Sequence, residues 1–186
     1  LLDSYTAERQ KVFKQIGEQM IAGGIERDRE WLERYRPEKN LAEFEQAWEE
    51  LGNRPLGANF EPNYAGSPVV LGEPGAETGI FAAPSFKARA GFHLAPRELS
   101  SGRNIYEELG PGFTLLALDG AESDAEAIER TAQSRSIPLK VIRDSIGKGL
   151  EAYEARLVLV RPDQFVVWAG DTMTEPEELW RAVTGM

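Results

Sequence analysis

The chain has 186 residues, with 21 Lys and Arg against 31 Asp and Glu, a formal charge of −10. That acidity argues against nucleic acid or an anionic membrane as the main partner, because both need clustered cations. Apolar residues at 41% suffice for a sizeable core, while the absence of Cys removes disulfides and thiolate chemistry, and a single His removes His-rich metal sites. Zero cysteines are compatible with a cytoplasmic setting. No apolar run approaches the roughly 18 residues that span a bilayer. The opening Leu1-Leu2-Asp3-Ser4-Tyr5 lacks an initiating Met and reads as the middle of a longer polypeptide, so a fragment is expected.

Residues 4–22 carry helical periodicity, with Val12, Phe13, Ile16 and Met20 on one face and Gly23-Gly24 as the stop. Residues 26–36, dense in charge around Trp31, Leu32 and Tyr35, predict a short helix closed by Pro37. Asn40 with Glu43 three residues on forms a capping box. The helix it opens sets Leu41, Phe44, Trp48 and Leu51 on one stripe. Three helices with so few core positions make a poor independent domain. Across residues 53–84, Gly and Pro recur too often for long regular elements, though residues 67–71 could form one short strand. Tyr64 and Val69-Val70-Leu71 imply a connector lying over a surface rather than a free linker.

From about residue 85 strand and helix alternate. Phe113 to Leu118 is a continuous apolar run, the pattern of a strand buried on both faces. Ser123 with Glu126 predicts a capped helix through Ile128 and Ala132. Residues 138–142 read as the next strand. Residues 156–160 and 165–168 read as two more, joined by Arg161-Pro162-Asp163-Gln164, where proline presets the turn. Thr174 with Glu177 caps a last helix that turns Leu179, Trp180 and Val183 inward. The expected fold is α/β: a helical lead-in (residues 1–52), an irregular connector (53–84), and a thioredoxin-like domain (85–186) with a mixed sheet and flanking helices.

Tests for chemistry within this pattern come out negative. Where a redox member of that fold carries its thiol, this chain has Asp119-Gly120-Ala121-Glu122-Ser123-Asp124, without sulfur and acidic. Gly147-Lys148-Gly149-Leu150-Glu151-Ala152 fits a dinucleotide fingerprint by letters, but a strand at about residue 156 leaves no room for the required helix. His93, between Phe92 and Leu94, reads as a hydrogen-bonded structural residue with no triad around it. Glu107-Glu108 and Glu177-Glu178 are adjacent and do not face each other on a helix. Trp31, Trp48, Trp168 and Trp180 each read as packing residues. No catalytic, cofactor-binding or metal-ligating residue is assigned to this chain.

Several segments in order resemble the C-terminal part of the flavin-dependent aromatic hydroxylases, the phenol hydroxylase group related to para-hydroxybenzoate hydroxylase. Leu1-Leu2-Asp3-Ser4-Tyr5-Thr6-Ala7-Glu8-Arg9 resembles the family's LLxSYxxER helix. Tyr64-Ala65-Gly66-Ser67-Pro68 resembles its Y-x-x-S-P segment. Arg89-Ala90-Gly91 and the Leu94 region resemble, imperfectly, the start of its last domain. Leu109-Gly110-Pro111-Gly112-Phe113-Thr114-Leu115-Leu116 resembles its LGxGFTLL strand. Tyr153-Glu154-Ala155-Arg156 running into Leu157-Val158-Leu159-Val160-Arg161-Pro162-Asp163-Gln164 resembles YGAxLVLVRPDQ. The resemblance implies a piece of an enzyme that uses FAD and NAD(P)H to insert one oxygen of dioxygen into an aromatic ring. The family's flavin-binding motifs would lie upstream of Leu1, so the fragment itself would hold no cofactor. It would be structural, covering the core and making subunit contacts in a homo-oligomer. The face of Val12, Phe13, Ile16 and Met20 would pack on the N-terminal flavin domain of the same polypeptide. The alternative is a free-standing, redox-inactive thioredoxin-like module for interaction or dimerisation.

Overall fold

A computed structural model describes residues 2–53, 59–147 and 149–185. Leu1, Pro55, Gly57 and Lys148 of the patterns above lie outside the described residues, as do the side chains of Leu2 and Asp3.

The N-terminal part is one long helical rod followed by a return helix. Helix α1 (Leu2–Gln15) runs into a π-helical stretch, Ile16–Ala22, and continues as α2 (Gly23–Arg34). The Gly pair therefore does not stop the helix. Gly23 keeps right-handed helical geometry, and its N–H donates to the Glu18 carbonyl five residues back. Glycine weakens a helix by about 1 kcal/mol relative to alanine but adopts its dihedrals freely. Helix α3 (Leu41–Gly52) begins where expected, with Asn40 Oδ1 accepting from the Glu43 N–H and Asn40 Nδ2 donating to the Glu43 carboxylate. Helices α2 and α3 meet through an aromatic cluster in which the Trp31 ring lies 5.2–5.8 Å from those of Tyr35, Phe44 and Trp48.

The connector holds a two-stranded ribbon, β1 (Phe60–Asn63) antiparallel to β2 (Gly79–Phe81). The strand expected at residues 67–71 is absent. Pro68 lacks an N–H, and the chain there makes turns closed by Ser67 N–H to Tyr64 O and Val70 N–H to Ser67 O. The connector does lie on a surface: Val69 and Tyr64 are buried, and the Leu71 N–H donates to Val167 O.

The remainder is a four-stranded mixed sheet. Its strands are β3 (Phe113–Leu118), β4 (Leu139–Asp144), β5 (Leu157–Val160) and β6 (Val166–Gly170), in the order β4-β3-β5-β6. The β3–β4 pair is parallel, bridged by α5 (Glu122–Ser134), and β3–β5 and β5–β6 are antiparallel. A short helix, α4 (Ile105–Glu108), precedes β3, and α6 (Pro176–Thr184) closes the chain. The α/β fold with a helical lead-in and flanking helices is thus present.

Strand β3 is buried at every position, as its unbroken apolar run requires. Phe113, Leu115 and Ala117 point to the face covered by Ile128 of α5 and by Leu179, Trp180 and Val183 of α6. Leu116 and Leu118 point to the opposite face, where no long helix lies. Leu94, Leu99, Ile105, Leu150 and Tyr153 fill it instead. The two capping boxes expected here are not used. Helix α5 starts two residues early, at Glu122, and α6 starts at Pro176, whose fixed φ suits a first turn. Neither has a side-chain cap.

Among the described residues, no helix is long and apolar enough to cross a membrane.

Candidate functional site

Among the described residues, two places set charged side chains from distant parts of the chain beside a cavity or the helical lead-in. The first is the tip of the β5–β6 hairpin. Its turn closes through Gln164 N–H to Arg161 O, with Gln164 at φ 71°, and Arg161 N–H donates to Phe165 O. The turn aims Arg161 inward. Its Nη1 donates to Glu8 Oε1 of α1 at 2.8 Å, and its Nε and Nη2 donate to the Asp163 carboxylate at 3.0 and 2.8 Å. Glu8 is 3% exposed and Arg161 10% at the side chain. Burial opposes the guanidinium charge, but the hydrogen bonds from Arg161 to Asp163 and Glu8 outweigh it, and the Arg161 pKa is raised. Beneath the ion pair, Val12 of α1 packs with Tyr64 and Ile80. The Tyr64 ring lies 4.6 Å from Phe165, and burial raises its phenol pKa.

His93 sits on the outer side of the same hairpin, where it pairs with Phe165. Its Nε2 lies 3.1 Å from Gln164 Oε1 and its Nδ1 3.2 Å from Leu94 O. Tyr106 Oη donates to that same Leu94 carbonyl and lies 3.3 Å from His93 Nδ1. Burial raises the Tyr106 pKa. The histidine is therefore tied into a loop-holding network.

The second place is an open groove of about 700 Å³ between the connector and β6, lined by Leu71, Glu73, Lys87, Arg89, Phe92 and Trp168 among others. Its two cations are each paired with a carboxylate: Lys87 with Glu154 at 2.6 Å, and Arg89 with Glu61 at 2.9 Å. The Arg89 guanidinium stacks 3.7 Å over the Phe92 ring. On the groove floor Tyr153 is buried, its hydroxyl donates to Ala95 O at 2.6 Å, and burial pushes its pKa far up. Gly91 lets the two walls approach. At φ 87°, a Cβ there would sit 2.3 Å from Ala65 Cα.

The carboxylates weighed from the sequence do not converge on one another as catalytic pairs. Glu108 binds Lys140 at 3.0 Å, Glu107 binds Arg103, and Glu177 binds Arg135. Among the described residues, no group of three or more His, Asp or Glu could hold a metal ion. Among the described residues, the glycine pattern weighed for a dinucleotide does not build a pyrophosphate cradle. Gly149, at φ 100°, leads only into a single 3₁₀ turn, Leu150–Tyr153, not into a helix whose N-terminus could take a pyrophosphate. The strand–helix junctions β3–α5 and β6–α6 open on Glu122 and Asp124 and on Glu177 and Glu178, which repel an anion.

Trp180 and Trp168 are core residues as expected, and Trp31 is half-buried, but Trp48 is 59% exposed. The expectation for the α1 face also needs correction. Val12 is buried and Ile16 is half-buried against the connector, so that face has a partner within this chain. Phe13 at 63% and Met20 at 37% remain exposed, joined by Ile21, Ile25, Leu32 and Leu41. The residue that the sequence reading missed is Glu8. Its segment and that of Arg161 were each recognisable, but nothing in a single sequence says that two segments 153 positions apart touch.

Comparison with known proteins places this geometry. The aromatic-ring hydroxylase C-terminal family matches residues 87–186. The FAD-dependent monooxygenase apdD of Emericella nidulans is 30% identical over 70% of this chain and 22% of its own length. The 4-methyl-5-nitrocatechol 5-monooxygenase of a Burkholderia species is 30% identical over 96% of this chain and 33% of its own. This chain thus spans a third or less of these relatives. Among solved structures, RebC with reduced flavin is 30% identical over 91% of this chain and 28% of that one, with a TM-score of 0.56. Aklavinone-11 hydroxylase with FAD and aklavinone, at 21% identity and a TM-score of 0.56, shares the fold. The chain belongs to the aromatic-ring hydroxylase C-terminal family, and its homologues are flavin monooxygenases.

Proposed function

We propose that this chain is the C-terminal part of an FAD- and NAD(P)H-dependent monooxygenase that inserts one oxygen of dioxygen into an aromatic ring, and that the part itself is structural. The observation that carries this reading is the family match across residues 87–186, in relatives of which this chain covers only 22% and 33%. Residues 85–186 act as a thioredoxin-like cover for the hydroxylase core and a contact surface in a homo-oligomer. Residues 1–52 belong to that core, and residues 53–84 strap the two together. The exposed side chains of Phe13, Met20, Ile25, Leu32, Leu41 and Trp48 support the second assignment. An apolar set of that size on adjoining helices is a docking surface, and the flavin-bearing N-terminal portion of the same polypeptide is its partner. The enzyme is a cytoplasmic one, free of nucleic acid and membrane.

A flavin titration tests the reading. The whole polypeptide should purify yellow and oxidise reduced nicotinamide in the presence of a phenolic substrate. The 186-residue chain alone should be colourless and leave FAD fluorescence unchanged. A chain of this length that retains FAD on a desalting column overturns the assignment.

A further inference from the structure

Glu8 occupies a place where a carboxylate cannot stand alone. It is 3% exposed, and an ionised side chain so buried is unfavourable without a counter-charge and hydrogen bonds. Arg161 supplies both at 2.8 Å. Arg161 is in turn held on its far side by Asp163 through two hydrogen bonds and is aimed by a closed hairpin turn. The guanidinium is therefore preorganised and keeps one donor edge for an incoming acid. The helix residues one turn either side of Glu8 are Ser4, Tyr5, Lys11 and Val12. A slip of α1 by one turn would bring a neutral group or a second cation to Arg161. Only the observed register puts an acid there, and it also drops Val12 onto Tyr64 and Ile80.

We propose that the β5–β6 hairpin tip is a recognition socket for a helix bearing a glutamate with an aliphatic residue one turn on, and that in this chain α1 fills it in cis. The Glu8–Arg161–Asp163 cluster then sets the seating of the helical part on the sheet, as an ionic latch whose pairing, not its mere burial, selects the register. The idea rests on the geometry of this chain alone and stands whether or not the flavin reading holds.

The test is limited trypsin digestion of the 186-residue chain, scored at the exposed Lys11 and Lys14 of α1. Amide exchange of β3 is followed in parallel as a check that the sheet is folded. Glu8→Gln should raise cleavage at these sites at least tenfold with β3 protection unchanged. The double charge swap Glu8→Arg with Arg161→Glu, which again sets a guanidinium against carboxylates, should return cleavage to within threefold of the parent. Cleavage of Glu8→Gln at the parent rate would overturn the proposal, leaving Val12 packing as what seats the helix. Release by Glu8→Gln with no recovery in the swap would overturn it too, because burial and not pairing would then be the determinant.

Discussion

The helical arm α2–α3 and the four-stranded sheet use their apolar side chains differently. In the sheet, Leu115, Leu157, Val158, Leu159, Val166 and Val167 are each 0% exposed. In the arm, Ile25 at 63%, Leu32 at 54% and Trp48 at 59% face outward, α2 buries no residue and α3 buries only Ala47. Helix formation in the arm comes from local signals, namely capping, charge pairs at i,i+4 and the aromatic cluster. Such signals contribute tenths of a kcal/mol to about 1 kcal/mol each. The sheet is held by burial on both faces, worth about 25 cal/mol per Å² of apolar surface. The contrast shows that regular structure and a core are separable here.

The largest expected effect comes from Trp180→Ala. The ring is fully buried, its Nε1–H donates to Ile128 O at 3.0 Å, and it packs edge-on to Phe113. A loss of about 3–5 kcal/mol is expected from chemical denaturation. The matching change in the arm, Trp48→Ala, should lose less than about 1.5 kcal/mol, the range of exposed aromatic pairs. Equal losses would break the comparison. Next is Gly91→Ala, which puts a Cβ against Ala65 at a positive φ and should lift the connector off β6. About 1–3 kcal/mol is expected, together with faster exchange of the Leu71 amide. Asn40→Ala removes the α3 cap and should weaken that helix by about 1 kcal/mol. Helical ellipticity should report this loss while the sheet's melting is unmoved.

The smallest effect is a pH dependence in the sheet region. The hydrogen bond from Lys140, with the Arg103 charge beside it, holds the Glu108 carboxyl below the usual carboxylate range. A carboxylate with a depressed folded pKa stabilises above its unfolded value and loses that contribution as pH falls through the folded one. The stability gap between the parent and Glu108→Gln should therefore be open at neutral pH and close on acidification. A gap that widened in acid would contradict the pairing.

Legibility in the sequence followed the same division. Strand β3 could be read to the residue because an unbroken apolar run has one physical meaning, burial on both faces. The hairpin turn was readable because Pro162 presets its geometry. Cap signals did worse: Asn40 and Glu43 bond as the box requires, but Ser123 lies inside a helix that had already begun at Glu122. The stop at Gly23-Gly24 failed because glycine permits a break without forcing one. The ribbon β1–β2 was hidden among prolines and glycines, since its pairing partner is distant in sequence and its burial is partial. The ion cluster was invisible for the same reason. Two charged residues announce a contact only after the fold has carried them together.

The π-helical stretch has a consequence for how this protein can change. Each residue in an α-helix turns the chain by about 100°. A π-helical turn holds more residues than an α-helical one, so deleting one residue between Ile16 and Ala22 would restore ordinary winding and leave Trp48 and Leu32 on nearly the same side of the rod. The stretch is thus the place where the rod takes up an extra residue without re-aiming the arm. The same deletion made in the regular winding of α1 would instead turn α2 and α3 by about 100°.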